Sequence, residues 1–210
     1  MAQNDVIELS ERLIKYATGQ FDPALIHTAT LRMLTISSIH ADAFARCNEY
    51  LTTLDLSRNL LTTIRGLEHL NALVYLDLSF NQLTSVHELS KWCPSLEVLH
   101  LEGNCIASME AIGCFDSAVM PKLRALYLQD RDGEFANPVC CPSGGREEYV
   151  AFAAAHFQHI RCLDGHYFNR HDVHPRYVQG SNDEEVKLPD CPPWIGDDYF
   201  GNALLEAAKI

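Results

Sequence analysis

Leu51-x-x-Leu54-x-Leu56-x-x-Asn59, Leu73-x-x-Leu76-x-Leu78-x-x-Asn81 and Leu96-x-x-Leu99-x-Leu101-x-x-Asn104 are three copies of one pattern. They recur at 22 residues (51 to 73) and 23 residues (73 to 96), and the asparagines keep the same spacing. Apolar residues continue each row in register: Leu61, Ile64, Leu67 and Leu70, then Leu83, Val86, Leu89 and Trp92, then Ile106, Met109 and Ile112. A unit this short cannot bury its own apolar side, so stacked units must share one continuous core. Leu54 and Leu56 are two apart and point to one face of a short strand, into the stack. Thr53, Asp55 and Ser57 then point to the opposite, concave surface. The asparagine stands where the chain leaves the strand, and its amide can pair with backbone groups that would otherwise be buried alone. Apolar residues three apart beyond it suit a tight helical or 3₁₀ return on the convex side.

Outward from these rows the signals become less regular. Residues 5–19 read as a capping helix, opened by an Asp5/Glu8 capping box or at Ser10, with Leu9, Leu13 and Tyr16 on one face and Gly19 as the C′ residue. After the Phe21-Asp22-Pro23 turn, Leu31-x-x-Leu34-x-Ile36 is expected to open a degenerate first repeat, with Ile39 at the asparagine position. Beyond the regular rows, Leu123-x-x-Leu126-x-Leu128 gives a fifth strand, but Arg131 falls where the asparagine is expected. The chain then runs through Asn137-Pro138-Val139-Cys140, a helical stretch from Arg146 to Phe157, and Leu163-Asp164-Gly165.

These features resemble the leucine-rich-repeat proteins of the short, 22-residue, cytosolic type. The repeats carry the resemblance, together with Thr18-Gly19-Gln20-Phe21 at the opening and Asn137-Pro138, Tyr149 and Leu163-Asp164-Gly165 as a C-terminal cap. It covers roughly residues 9 to 167 and implies an α/β fold: a right-handed solenoid of about five repeats, with a parallel sheet on the concave side and helical caps. The expected division is 1–30 for the N-terminal cap, 31–136 for the repeats, 137–167 for the C-terminal cap and 168–210 for an acidic linker and aromatic tail. Similar cytosolic proteins, among them a phosphatase-1 regulatory subunit, the U2 snRNP A-prime protein and an axonemal dynein light chain, bind proteins or ribonucleoprotein parts. The resemblance therefore implies a non-enzymatic adaptor, with a ribonucleoprotein scaffold as the alternative and a ciliary or cytoskeletal setting by analogy.

Composition is consistent with this. The 210 residues are 47% hydrophobic and 21% charged, enough for a core, and the formal net charge of −12 does not suit a grip on phosphate backbones. No signal peptide or membrane span is expected, and the eight cysteines are scattered, all but the adjacent Cys140 and Cys141 standing singly, with Cys47, Cys93, Cys114 and Cys162 reading as small buried hydrophobes of a reducing compartment. A cytoplasmic location follows, with cilium and nucleus as alternatives. The final Ala-Lys-Ile resembles a peroxisomal tripeptide at its lysine alone.

The concave columns hold the candidate site. One is expected to run Thr35, Asp55, Asp77, His100, Tyr127, a second Ser37, Ser57, Ser79, Glu102, Gln129, and a third Met33, Thr53, Tyr75, Val98, Ala125. Asp and Ser are ordinary solvated residues at such positions, whereas Tyr75, Phe80, His100 and Tyr127 are large for an exposed curved sheet. A protein-binding face is expected here, with Asp55, Asp77 and Glu102 selecting a basic partner segment and no cofactor, metal or small-molecule ligand. Two other constellations carry reactive or metal-binding residue types. Cys140-x₅-Arg146 has the spacing of a Cys-dependent phosphatase loop, but Pro142 removes an amide the phosphate cradle needs, and no histidine precedes the cysteine. Cys140, Cys141, His156, His159, Cys162 and His166 lack the paired spacing of a metal framework. Finally, Trp194, Ile195, Tyr199 and Phe200 form an apolar cluster after the acidic run, which reads as a segment that docks on the chain's own body or on a second protein.

Overall fold

The strand register follows directly from the repeat. β4 (Thr53–Asp55) pairs in parallel with β5 (Tyr75–Asp77), β5 with β6 (Val98–His100), and β6 with β7 (Ala125–Tyr127), so that Leu54, Leu76, Leu99 and Leu126 lie side by side. All four leucines, and Leu56, Leu78, Leu101 and Leu128 beyond them, are completely buried. The structure is a computed structural model that describes residues 7–68, 70–141 and 146–167, all within one unit, Met1–Pro175. Within it the principal sheet has seven strands in the order β2-β4-β5-β6-β7-β8-β9, with β2 at Thr28–Thr30, β8 at Cys162–Leu163 and an antiparallel β9 at His166–Tyr167. The architecture is an α/β leucine-rich-repeat solenoid.

Each strand ends at a left-handed residue: Arg58, Phe80 and Gly103 have φ of 55°, 53° and 68°. Non-glycine residues pay a steric penalty there, and the asparagine that follows is what holds the turn. Asn81 Nδ2 donates to the carbonyls of Leu56 and Leu78 (both 3.0 Å), and its Oδ1 accepts from Leu61 N (3.0 Å). Asn59 and Asn104 repeat this arrangement one strand away on either side. The expected ladder is thus present, each member joining its own repeat to the preceding one.

The return segments after β4 and β5 are turns, supplemented by a short helix α2 (Leu89–Trp92); after β6 they contain α3 (Met109–Ile112) and a 3₁₀ turn at Gly113–Phe115. Trp92 is only partly buried, and Cys93 beside it fills the core instead.

The first repeat lies in a different frame from that expected. The sheet strand is Thr28–Thr30, registered Ala29 to Leu54, not a strand through Leu34 and Ile36. The row is therefore Ile26-x-x-Ala29-x-Leu31-x-x-Leu34, with Leu34 and not Ile39 at the asparagine position. Met33, at φ 58°, is the left-handed residue. Ile36 and Ile39 take the convex places that Leu61 and Ile64 hold one repeat later. There β3 (Ile36–Ile39) pairs in parallel with β1 (Ile7–Leu9), a strand the helical pattern of the N-terminus concealed. Thr35, Ser37 and Met33 consequently leave the concave columns, and Thr30, Arg32 and Thr28 stand in their places.

The cap helix α1 is Glu11–Thr18, begun at Ser10 and closed by left-handed Gly19. Its buried contact is Ile14, with Leu13 partly covered; Tyr16 is 86% exposed, so it does not share the buried face. Asp5 lies outside the described residues, and so does the tail with Trp194, Ile195, Tyr199 and Phe200.

At the other end the missing asparagine reappears six positions late. Asn137 Nδ2 donates to the carbonyls of Leu101 (2.8 Å) and Leu128 (2.7 Å), and its Oδ1 accepts from Ile106 N (3.0 Å). Residues between Gln129 and Asn137 are an insertion looped out of an intact repeat. α4 (Arg146–His156) then covers the stack with Tyr149, Ala153 and, just beyond it, Phe157. Asp164 closes the ladder as a carboxylate, accepting from Leu128 N, Gln129 N, Gln129 Nε2 and the Tyr149 hydroxyl.

Candidate functional site

Outward-pointing residues of β4–β7 form the floor of the concave face. The His100 ring lies flat on Tyr127, with centroids 4.1 Å apart and planes 6° from parallel, and Tyr75 leans toward its other side at 5.6 Å. His100 Nδ1 is 3.1 Å from Glu102 Oε1. Glu102 Oε2 is buried and has no hydrogen-bond partner among the described residues. Burial pushes the phenol of Tyr75 well up, helped by the charges of Asp77, Asp55 and Glu102; Tyr127 is raised in the same way by burial and by Cys162, whose Sγ lies 3.5 Å from the phenol oxygen. Both tyrosines therefore offer neutral rings and hydroxyls.

Asp55 and Asp77 are direct partners across β4 and β5. Each fixes its Oδ1 by accepting from the serine two residues on: Ser57 N at 2.9 Å and Oγ at 2.6 Å for Asp55, with identical distances from Ser79 for Asp77. Burial raises the Asp77 carboxyl, opposed by the Ser79 bonds and by His100, while Asp55 adds to the rise. Ser57, Ser79 and Gln129, expected as a column facing solvent, are buried. Thr53, Val98 and Ala125 line the third column at intermediate exposure.

Phe80 is not on the floor. As the left-handed residue after β5 it stands on the rim, between Arg58, whose guanidinium carbon is 4.2 Å from the ring centre, and Phe135, at 4.9 Å and nearly edge-on. The insertion delivers Phe135: Asp130 Oδ1 accepts from Phe135 N (2.8 Å), and Gly103 N donates to Phe135 O (2.7 Å). Gly103 is required there, because a Cβ would meet the Phe80 ring at 2.8 Å. Sequence reasoning missed Arg58, Phe135 and Tyr167. The first two carry a retrievable signal, since Arg58 and Phe80 occupy one repeat position and Phe135 sits in the insertion that displaces the asparagine of its row. Tyr167, 62% exposed on β9, had none.

The other constellations do not converge. Cys140 is completely buried, its Sγ donates to Leu128 O (3.6 Å), and burial pushes its thiol far up, the opposite of what an attacking thiolate requires. Cys162 contacts Tyr127, and His156 stacks on Phe152 and pairs with its carbonyl. Among the described residues no three His, Cys, Asp or Glu side chains are grouped to hold a metal, and no helix is long and apolar enough to cross a membrane.

Comparison with known proteins agrees with the architecture. Residues 30–83 match the family model for the leucine rich repeat and residues 71–114 that for leucine rich repeats in two copies. The chain is 34% identical over 109 residues to bovine leucine-rich repeat-containing protein 51, covering 48% of this chain and 52% of that one. It is 29% identical over 117 residues to bovine leucine-rich repeat-containing protein 23, covering 56% of this chain and 31% of that one. The chain thus spans about a third to a half of these relatives. A chain in the crystal structure of the Drosophila melanogaster SNF/U2A′ complex superposes with a TM-score of 0.63 at 24% identity, covering 80% of this chain and 89% of that chain. Residues 30–114 are thus leucine-rich repeats, set in a leucine-rich-repeat fold.

Proposed function

We propose that this chain is a non-enzymatic adaptor that binds a protein partner through its concave face. The observation that carries the reading is the Tyr75–His100–Tyr127 run on the concave face of the parallel sheet, flanked by Asp55, Asp77 and Glu102. Aromatic side chains beside fixed polar groups are the usual anchors of protein interfaces. The acidic flank favours a partner with a basic segment, and the net charge of −12 disfavours direct contact with nucleic acid. A reducing compartment such as the cytoplasm suits cysteines that stand free: Cys47, Cys93, Cys140 and Cys162 are buried as thiols. The finer likeness, to leucine-rich repeat-containing protein 61, rests on Thr18-Gly19-Gln20-Phe21 and the capping residues. A ribonucleoprotein-scaffold role has only the fold shared with the SNF/U2A′ chain behind it, and cilium or nucleus only analogy.

The test replaces Tyr75, His100 and Tyr127 by alanine together. Proximity labelling identifies the partner, and its affinity for purified wild type and variant is measured by calorimetry. At ~2 kcal/mol or more for each central aromatic, binding weakens more than tenfold while circular dichroism stays native. Undiminished affinity in a folded variant places the binding surface elsewhere.

A further inference from the structure

The acidic and aromatic groups of the concave floor are divided along the sheet. At the C-terminal side His100 is enclosed between Tyr127 and Tyr75, so its faces are already occupied. At the N-terminal side the neighbour of Tyr75 across the strand pair is Thr53, and that of Thr53 is Thr28. Threonine side chains are short beside the Tyr75 ring, and Asp55 and Asp77 follow Thr53 and Tyr75 by two residues on the same face of the sheet. They stand opposite each other on adjacent strands, about 5 Å apart by the spacing of any sheet, an arrangement that is unfavourable for like charges. Serine bonds fix the Oδ1 of each, and each Oδ2 has no protein partner among the described residues. Nor does any lysine or arginine approach within 4 Å of Asp55, Asp77 or Glu102 there; Arg58, on the rim, is held over Phe80. Two immobilised carboxylates and an aromatic face are thus present with no lysine or arginine within 4 Å of them among the described residues.

We propose that this corner binds an arginine side chain of the partner, its guanidinium stacked on Tyr75 and hydrogen-bonded to Oδ2 of Asp55 and of Asp77. The inference rests on the concave-face reading above and names the residue that face selects. Arginine fits better than lysine for two reasons. Its planar fork carries five donors and can span two carboxylates, where an ammonium is a point charge. Its flat face stacks on an aromatic ring, at a smaller cost of dehydration. Glu102, with Oε2 unpartnered among the described residues, adds negative charge behind the ring without competing for the same donors.

The full-length chain labelled with ¹⁵N is titrated with three capped tripeptides: acetyl-Gly-Arg-Gly-amide, its lysine counterpart and its citrulline counterpart. The expected result is saturable shifts at the amides of Thr53–Asp55 and Tyr75–Asp77, with the arginine peptide binding at least fivefold more tightly than the lysine peptide and the neutral citrulline peptide not binding. Asp55→Asn with Asp77→Asn, which keeps the acceptor for each serine, abolishes the shifts; Tyr75→Leu reduces the arginine peptide to the level of lysine. Equal binding of arginine and lysine, shifts centred elsewhere, or saturation of these amides by calcium chloride alone would overturn the proposal, the last in favour of a metal site. The double asparagine variant is also tested on the partner identified by labelling. A partner that the triple alanine variant loses and the double asparagine variant retains defeats the arginine corner and leaves the concave face standing. A partner that both variants retain defeats the concave face itself.

Discussion

At the scale of single residues, Asn81 does more for the fold than any one leucine's pattern suggests. Its amide joins two repeats by donating to carbonyls of both and accepting from a third backbone group, all out of contact with water. Removing the amide leaves Leu61 N without its acceptor and takes one of two amide donors from the carbonyls of Leu56 and Leu78, which Asn59 and Asn104 still serve; a buried group left unpaired costs about 1–3 kcal/mol. Asn81→Ala should therefore lower the urea midpoint by the equivalent of at least ~1–3 kcal/mol, with an unchanged m-value. A midpoint equal to that of wild type would show that the backbone groups find other partners. Asn137 serves the same ladder although its place in the sequence is six residues late, because the hydrogen-bond geometry constrains where the amide sits and not how much chain lies outside the repeat. The segment 130–136 loops to the rim, where Phe135 meets Phe80.

At the scale of elements, the C-terminal cap substitutes a carboxylate and a helix for a further repeat. Asp164 accepts two backbone N–H groups, an amide and the Tyr149 hydroxyl, so Tyr149 is both a core ring and a ladder donor. Tyr149→Phe keeps the ring and removes one donor to a buried carboxyl; it should destabilise the protein by ~1–3 kcal/mol, and thermal unfolding of the two proteins side by side measures it. The same cap carries a pH signal. Burial lowers the pKa of His159 from its ordinary value. The native state then stays neutral at pH values where the unfolded chain has already taken up a proton. Its contribution is full above about 6.5 and is lost as pH falls toward the lower, native value. Asp164 works in the opposite direction, since burial raises its carboxyl and the native state holds a proton longer than the unfolded one. The difference between wild type and His159→Gln separates them: the wild-type stability should fall more steeply from pH 7 to 5 than that of the variant. Parallel curves would mean that His159 titrates alike in both states.

At the scale of the whole molecule, the regular part of the stack was legible because each repeat supplies about ten matching positions, and three copies fix one register. The concave positions of Tyr75, His100 and Tyr127 followed from that register alone. Legibility failed where a repeat is not self-similar. Leu31, Leu34 and Ile36 satisfy the leucine spacing in a frame five residues from the true one, since Ala29 and Leu34 replace the leucine and the asparagine that would have fixed it. Arg58 and Phe80 share one repeat position, but their meeting with Phe135 on the rim was not legible, because it depends on where an insertion folds back. These departures also predict where the solenoid is weakest. In a stack each repeat is stabilised by its neighbours alone, so stability is set locally by side-chain burial and ladder bonds. At β5 and β6 each repeat contributes a buried leucine at the strand centre and an asparagine amide. At β2 the strand centre is Ala29, which buries less apolar surface, and Leu34 gives no side-chain donor to the ladder; the bonds on that side come from Asn59 of the next repeat. The N-terminal repeat should therefore open before the centre, despite the cover of α1. In native-state hydrogen exchange, amides of Thr28–Thr30 should exchange through a sub-global opening, at lower free energy than those of Tyr75–Asp77 and Val98–His100, which should exchange only on global unfolding. Leu54→Ala, in the strand that pairs with β2, should widen this gap, because it removes packing from the same end. Uniform exchange free energies across β2, β5 and β6 would instead mean that the caps bind the stack into one cooperative unit, and that the degenerate first repeat costs it nothing.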